Sequence, residues 1–408
     1  YKELEFHLGK SGLSLRSIPD NLVDKIWEDR PLPPKKSVFI HDEIYAGAPV
    51  SAKLKRLREK MDEEAAGAHI ISKLDSLAWL YNIRGGDIEY NPVAIAFGLV
   101  THENARLFID TDKVPENVRS HLEPLVRIEE YNRFADAVRG LRESGSVWVD
   151  EPSVSRWIMD LLADTEVVAK PGPIELFKAV KNQTETDGMR RAHIRDGAAM
   201  VKFLFWLEKS LGHGPVTEIS AARKAEEFRH GMDLFKGMSF ETISSFGAHG
   251  AVVHYSVTPE TDIPVQGRGI YLIDSGGQYL DGTTDITRTV AVGPPTEEEK
   301  DRFTRVLKGL ILLTSTPFPK GTVGKQLDIL ARRPLWELGL NFLHGTGHGL
   351  GHYLNVHEGP QAISYYRCIG IALEPGMIST IEPGYYKEGD YGMRVENAVL
   401  VVKDEERS

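Results

Sequence analysis

The side chains most able to do chemistry lie in the last third of the chain and are acidic or imidazole. Asp274 sits in Tyr271-Leu-Ile-Asp-Ser-Gly-Gly, and Asp285, eleven positions on, sits in Asp281-Gly-Thr-Thr-Asp-Ile-Thr-Arg288. A carboxylate at the end of an apolar strand is costly to bury unpaired. Two of them on neighbouring strands can face one another and share a cation; taken alone, the more ordinary reading is a pair of turn aspartates. Then comes His344-Gly-Thr-Gly-His-Gly-Leu-Gly-His-Tyr-Leu-Asn-Val-His-Glu358, with histidines at His344, His348, His352 and His357. Imidazole is a common metal ligand and proton shuttle, and the glycines let the backbone approach a ligand closely. Glu382 precedes a Pro-Gly turn in Thr380-Ile-Glu-Pro-Gly-Tyr-Tyr386. Arg394 and Glu396 stand two apart in Tyr391-Gly-Met-Arg-Val-Glu-Asn397, which places both on one face of a strand. Four carboxylates with one or two imidazoles make a hard, oxygen-rich donor set, suited to Mn²⁺, Zn²⁺, Co²⁺ or Fe²⁺ in a two-metal site.

These groups need elements to carry them. The pattern predicts β-like stretches at 252–255, 270–274, 285–292 and 395–402, set among helices. The helices are expected at 189–211, with Ile194, Met200, Val201, Leu204 and Leu207 as its apolar residues, at 217–232, and after a capping-box signature at Thr296 and Glu299. Upstream, a helix from Ser51 carries Leu54, Leu57 and Met61 at helical spacing. Apolar runs at 68–71, 92–100 and 106–109 suggest a mixed α/β domain that ends in a linker near 169–173. Residues 2–7 and 21–27 read as short helical pieces before a stiff, proline-rich connector at 30–36. The expected division is 1–49, the end of an N-terminal domain plus linker; 50–172, a middle domain; and 173–408, the domain bearing the candidate site.

Composition narrows the partners. The chain is 41% hydrophobic and 26% charged, ordinary for a globular protein. Its formal net charge of -10 argues against nucleic acid or an anionic membrane as main partner. No stretch approaches the ~20 apolar residues that span a bilayer. A single cysteine, Cys368, fits a reducing compartment and has no recognisable nucleophile context. The chain begins at Tyr1 and shows no signal-peptide pattern.

With the motifs in order, the sequence resembles the cytosolic type of Xaa-Pro aminopeptidase, the aminopeptidase P group of the pita-bread family that also includes prolidase and methionine aminopeptidase. The resemblance implies an α/β (α+β) architecture, a creatinase-like middle domain followed by a pita-bread catalytic domain. It implies that Asp285 and Glu396 bridge two divalent metals, Mn²⁺ first with Zn²⁺ or Co²⁺ as alternatives, while Asp274 completes one site and His348 and Glu382 the other. Glu382 is then the general base toward a bridging water. His254, in Val252-Val-His-Tyr255, and His357 would contact substrate and handle protons; His344 and Arg394 would support the site from behind. His352 has no counterpart role and is expected to be structural. The implied reaction removes the first residue from peptides with proline second. Members of the family form homodimers in the cytoplasm, carry a complete N-terminal domain and continue past the last strand found here, so dimerisation and activity of this shorter chain are open expectations. Alternatives are a prolidase-like dipeptidase and a catalytically silent pita-bread module that binds peptides or proteins.

Overall fold

The computed structural model describes residues 2–16, 18, 20–366 and 370–405. Cys368 lies outside the described residues. The chain gathers into two compact units: residues 1–39, 54–77 and 94–172 form one, and residues 40–53, 78–93 and 173–408 the other.

The first unit is built on a six-stranded sheet. Its order is Arg127–Glu130, Ala105–Ile109, Ala96–Thr101, Ala66–Ile71, Ser146–Val149 and Val167–Ala169, with mixed parallel and antiparallel neighbours. The runs at 68–71 and 106–109 fall in these strands, as their apolar content requires. Ala68, Ile70, Leu99, Phe108, Val147 and Val149 form the core with Phe134 and Val138 from the helix Phe134–Arg139. Phe97 stacks on Phe134 with ring centroids 4.1 Å apart.

The second unit is held by helices Gln183–Ser210, Glu218–His230, Glu297–Thr314 and Gly324–Trp336. The predicted capping box is present: Thr296 Oγ1 accepts from Glu299 N, and the Glu299 carboxylate accepts from Thr296 N. The first of these helices begins earlier than expected, at a second capping box between Asn182 and Glu185. Its Met200, Phe203 and Leu207 are buried, whereas Ile194 and Val201, read as apolar helix residues, face solvent at 73% and 66% exposure.

Three antiparallel strands, Ile243–Phe246, Gly269–Ser275 and Ile286–Val292, make the central ladder, and Asp274 pairs in register with Thr287. Short hairpin-like pairs complete the unit: Gly347–His348 with Ala362–Ile363, Ile378–Ile381 with Asn397–Leu400, and Gly384–Lys387 with Tyr391–Arg394. Two expectations change here. Residues 252–255 are not a strand but a turn following the short helix Gly247–Ala251. Arg394 ends one strand and Glu396 lies in the two-residue break before the next, so they do not share one strand face. Among the described residues no helix is long and apolar enough to cross a membrane.

Candidate active site

All the sequence-selected side chains belong to the second unit. Asp274 is the penultimate residue of strand Gly269–Ser275, and Asp285 immediately precedes strand Ile286–Val292. Antiparallel pairing of these strands brings the two aspartates to one end of the ladder. His348 is carried by the short strand Gly347–His348, which crosses close to Thr380: His348 N donates to Thr380 Oγ1 at 3.2 Å. A Cβ on Gly347 would collide with the Thr380 carbonyl oxygen, so the approach requires glycine. Glu382 follows strand Ile378–Ile381, and its N–H donates to Thr346 O at 2.7 Å. Glu396 N donates to Thr287 O at 3.2 Å, tying the break between the last two strands to the central ladder.

The result is a buried group of acids around one imidazole. Single ligand atoms of Asp285, His348 and Glu396 all lie within 4.8 Å of one another. His348 Nε2 is 3.5 Å from Asp285 Oδ2 and 3.7 Å from Glu382 Oε1. His348 Nδ1 donates to Gly349 O at 2.9 Å, which leaves the Nε2 lone pair aimed at the carboxylates. Asp274 Oδ2 accepts from Arg394 Nη2 at 2.7 Å, while its Oδ1 is buried with no hydrogen-bond partner.

Burial and like charge act together on the acids. Asp285 is pushed well above the carboxylate range by burial, then by Asp274 and Glu382. Burial, then Asp285, Asp274 and Glu382, push Glu396 well up. Burial raises Glu382 although His348 and Arg394 pull it down. Four carboxylates against one guanidinium are a poor arrangement for an isolated fold and a good one for divalent cations. The donor set therefore fits metal: hard oxygens, one oriented imidazole nitrogen and an orphaned buried carboxylate oxygen.

Two further histidines are linked to the group, His357 by its ring and His344 through Tyr386 and Arg394, and a third, His254, acts on both electrostatically. The His357 ring lies edge-on to His348 with centroids 4.2 Å apart, and burial, then His348 and His254, lower its pKa to about 4. Burial and Arg394 hold His344 at about 3, and its environment also feels His254. His254 itself is exposed. His344 Nδ1 donates to Gly345 O at 2.7 Å, so its Nε2 accepts from Tyr386 Oη at 2.9 Å, and Tyr386 Oη accepts in turn from Arg394 Nη1 at 2.8 Å. His352 is elsewhere: buried, with its ring 5.6 Å from that of His41.

Two participants escaped the sequence reading. Tyr386 joins Arg394 to His344, and Thr287 Oγ1 donates to Glu396 Oε2 at 2.8 Å while accepting from Arg394 Nε at 3.2 Å. Both stand inside motifs already singled out, two residues after Asp285 and four after Glu382. Their chemistry was visible there, but their partners are set by strand register.

Comparison with known proteins fits this geometry. Residues 187–403 match metallopeptidase family M24, and residues 29–185 match the creatinase/prolidase N-terminal domain. A probable Xaa-Pro aminopeptidase P of Neosartorya fischeri is 45% identical over 98% of this chain and 63% of its own length. A probable Xaa-Pro aminopeptidase P of Laccaria bicolor is 44% identical over 95% of this chain and 61% of its own. The chain thus spans less than two thirds of the length of these curated relatives. The crystal structure of an X-prolyl aminopeptidase from Caenorhabditis elegans, described as a cytosolic enzyme with a di-nuclear active site, superposes with a TM-score of 0.95 at 39% identity. It covers 99% of this chain and 67% of that one.

Proposed function

Because the chain belongs to metallopeptidase family M24, with a creatinase-like domain preceding a pita-bread catalytic domain, we propose that it is the catalytic part of a metal-dependent Xaa-Pro aminopeptidase. The observation that carries this is the buried convergence of Asp285, His348 and Glu396, with Asp274 and Glu382 beside them. We assign Asp274, Asp285, His348, Glu382 and Glu396 to two divalent ions, with Mn²⁺ first and Zn²⁺ or Co²⁺ next. When bound, such ions supply Lewis acidity and lower the pKa of a water that can attack a peptide carbonyl.

The protein's own groups do the rest. Glu382, with its carboxyl already raised by burial, accepts the proton of the attacking water at a carboxylate oxygen. His357, kept neutral by burial, and His254 orient the substrate and relay the proton taken up at Glu382 to the leaving nitrogen, a neutral imidazole accepting on one ring nitrogen as it donates from the other. His344 is fixed in one tautomer by Gly345 and Tyr386, and through Tyr386 and Arg394 it steadies Asp274. Relatives named Xaa-Pro aminopeptidase P along nearly the whole chain favour this reading over a dipeptidase or a silent module. We further read residues 1–49, 50–172 and 173–408 as the end of an N-terminal domain, the middle domain and the catalytic domain. We place the protein in the cytoplasm as a homodimer acting on peptides with proline second.

The test is hydrolysis of Arg-Pro-Pro and Arg-Ala-Ala by metal-free protein before and after addition of Mn²⁺. Mn²⁺-dependent release of arginine from Arg-Pro-Pro alone is expected. Cleavage of both peptides removes the proline selectivity, and cleavage of neither, with metal bound, removes the activity.

A further inference from the structure

We propose that Glu218, the first residue of helix Glu218–His230, is a positioning residue that fixes the turn carrying His254 over the site. The proposal rests on His254 being a substrate-handling group, as read above.

Glu218 is fully buried, yet no lysine or arginine pairs with it among the described residues. Its partners all come from the segment on either side of His254. Oε1 accepts from Phe246 N at 2.6 Å, and both oxygens lie 3.0 Å from His249 Nδ1. Tyr255 Oη lies 3.4 Å from Oε2 and 3.0 Å from Thr261 Oγ1, and its one proton is shared between them. The main chain joins in: Glu218 O accepts from Ser244 Oγ at 2.7 Å, and Glu218 N donates to Ile263 O at 3.2 Å.

Residues 247–263 have no strand to hold them, and this one carboxylate gathers donors from before and immediately after His254. The His249 and Tyr255 rings then stack, centroids 4.5 Å apart at 26°, closing the turn at its base. On its far side the segment lies against strand Tyr391–Arg394, where a Cβ on Gly392 would collide with Gly250 O. The turn is thereby pinned between Glu218 and the strand that supplies Arg394. A buried carboxylate whose neighbours are all donors is an efficient clamp, because the Phe246 N–H and the His249 Nδ1–H would be costly to leave unsatisfied.

The test is a double-mutant cycle on arginine release from Arg-Pro-Pro with Mn²⁺ present and metal content verified. Glu218→Ala is expected to lower kcat/KM about tenfold or more, and less than about twofold in a His254→Ala background, because the two act as one unit. Glu218→Gln is expected to recover part of the loss. Its amide can accept from Phe246 N–H and donate to a His249 of the opposite tautomer. Equal losses in both backgrounds, or wild-type rates for Glu218→Ala, overturn the proposal. If Glu218→Ala does not fold, Glu218→Gln runs the same cycle, with a loss of about threefold expected only when His254 is present. A second readout needs no turnover: in the imidazole NMR spectrum of metal-free protein, Glu218→Gln is expected to shift the His254 ring signals as well as those of His249. Movement of His249 alone overturns the proposal. Wild-type protein that cleaves nothing contradicts the activity instead, and the spectra still decide whether His254 depends on Glu218.

Discussion

Two buried acidic centres in the same unit have opposite electrostatic fates. Asp196, on helix Gln183–Ser210, accepts from Arg229 Nε at 2.7 Å and Nη2 at 3.0 Å, and from Tyr279 Oη at 2.9 Å. Burial alone would raise its pKa, but the guanidinium and its hydrogen bonds outweigh that and hold the carboxyl below the usual range. Asp285 and Glu396 are equally buried, yet their nearest charged neighbours include other acids, and both are raised. The first centre is complete as folded. The second leaves like charges facing each other, with Arg394 on Asp274 as the strongest counter-charge described. Proteins tolerate such a conflict between local charge and fold mainly where function uses it.

The comparison predicts mutational effects that differ in kind. The largest should be on activity. Asp285→Asn or Glu396→Gln is expected to lower Arg-Pro-Pro hydrolysis by more than about 10³-fold, the scale of removing a central catalytic group, with the circular dichroism spectrum unchanged. Near-normal turnover in either variant, with metal content verified, would break the bridging assignment. His348→Ala should lose bound metal that His352→Ala retains; equal loss by elemental analysis would move the ligand.

Stability should sort the two centres by sign. Asp196→Ala strands Arg229 and is expected to cost about 3–5 kcal/mol in denaturant unfolding, with metal binding intact. Asp285→Asn, measured without metal, should instead stabilise by about 1 kcal/mol, because it removes one of several crowded charges. Destabilisation by both would erase the contrast.

A third buried group extends the comparison to the other unit. His69 lies in strand Ala66–Ile71, and burial lowers its pKa to about 4 although Trp148 O accepts from its Nδ1 at 3.1 Å. The unfolded chain, with an ordinary histidine pKa near 6.5, binds more protons between these values. Stability from keeping His69 neutral is therefore complete above about pH 6.5 and lost as pH falls toward 4, by about 3 kcal/mol in all. His69→Gln should flatten that part of the stability–pH curve. The smallest effect belongs to the surface: Lys387, 3.0 Å from both Glu298 and Asp390 and, like them, over 40% exposed, makes pairs screened by water, so Lys387→Ala should leave the denaturant unfolding curve close to that of the wild type.

The candidate site was legible where chemistry is written in residue type and order. Asp274, Asp285, His348, Glu382 and Glu396 each stand in a short motif whose glycines and turns announce a close approach. What supports them was not legible. The hydroxyl of Thr287 meets Glu396 and Arg394 because antiparallel register sets Thr287 opposite Asp274, a pairing no local pattern reveals. The run Val252-Val-His-Tyr255 reads as a short β-like stretch, yet among the described residues no strand pairs with it, and Glu218, thirty-six positions before His254, holds it as a turn. Helix period located Gln183–Ser210 but not the exposure of Ile194 and Val201, because period places residues on faces without saying which face is covered.

The most direct test of the central contrast is calorimetric titration of metal-free protein with Mn²⁺, wild type beside Asp285→Asn. Two ions bound per wild-type chain, with binding greatly weakened in the variant, are the predicted result. A folded wild-type chain that takes up no Mn²⁺, Zn²⁺ or Co²⁺ would contradict it, and the crowded carboxylates would then need another explanation.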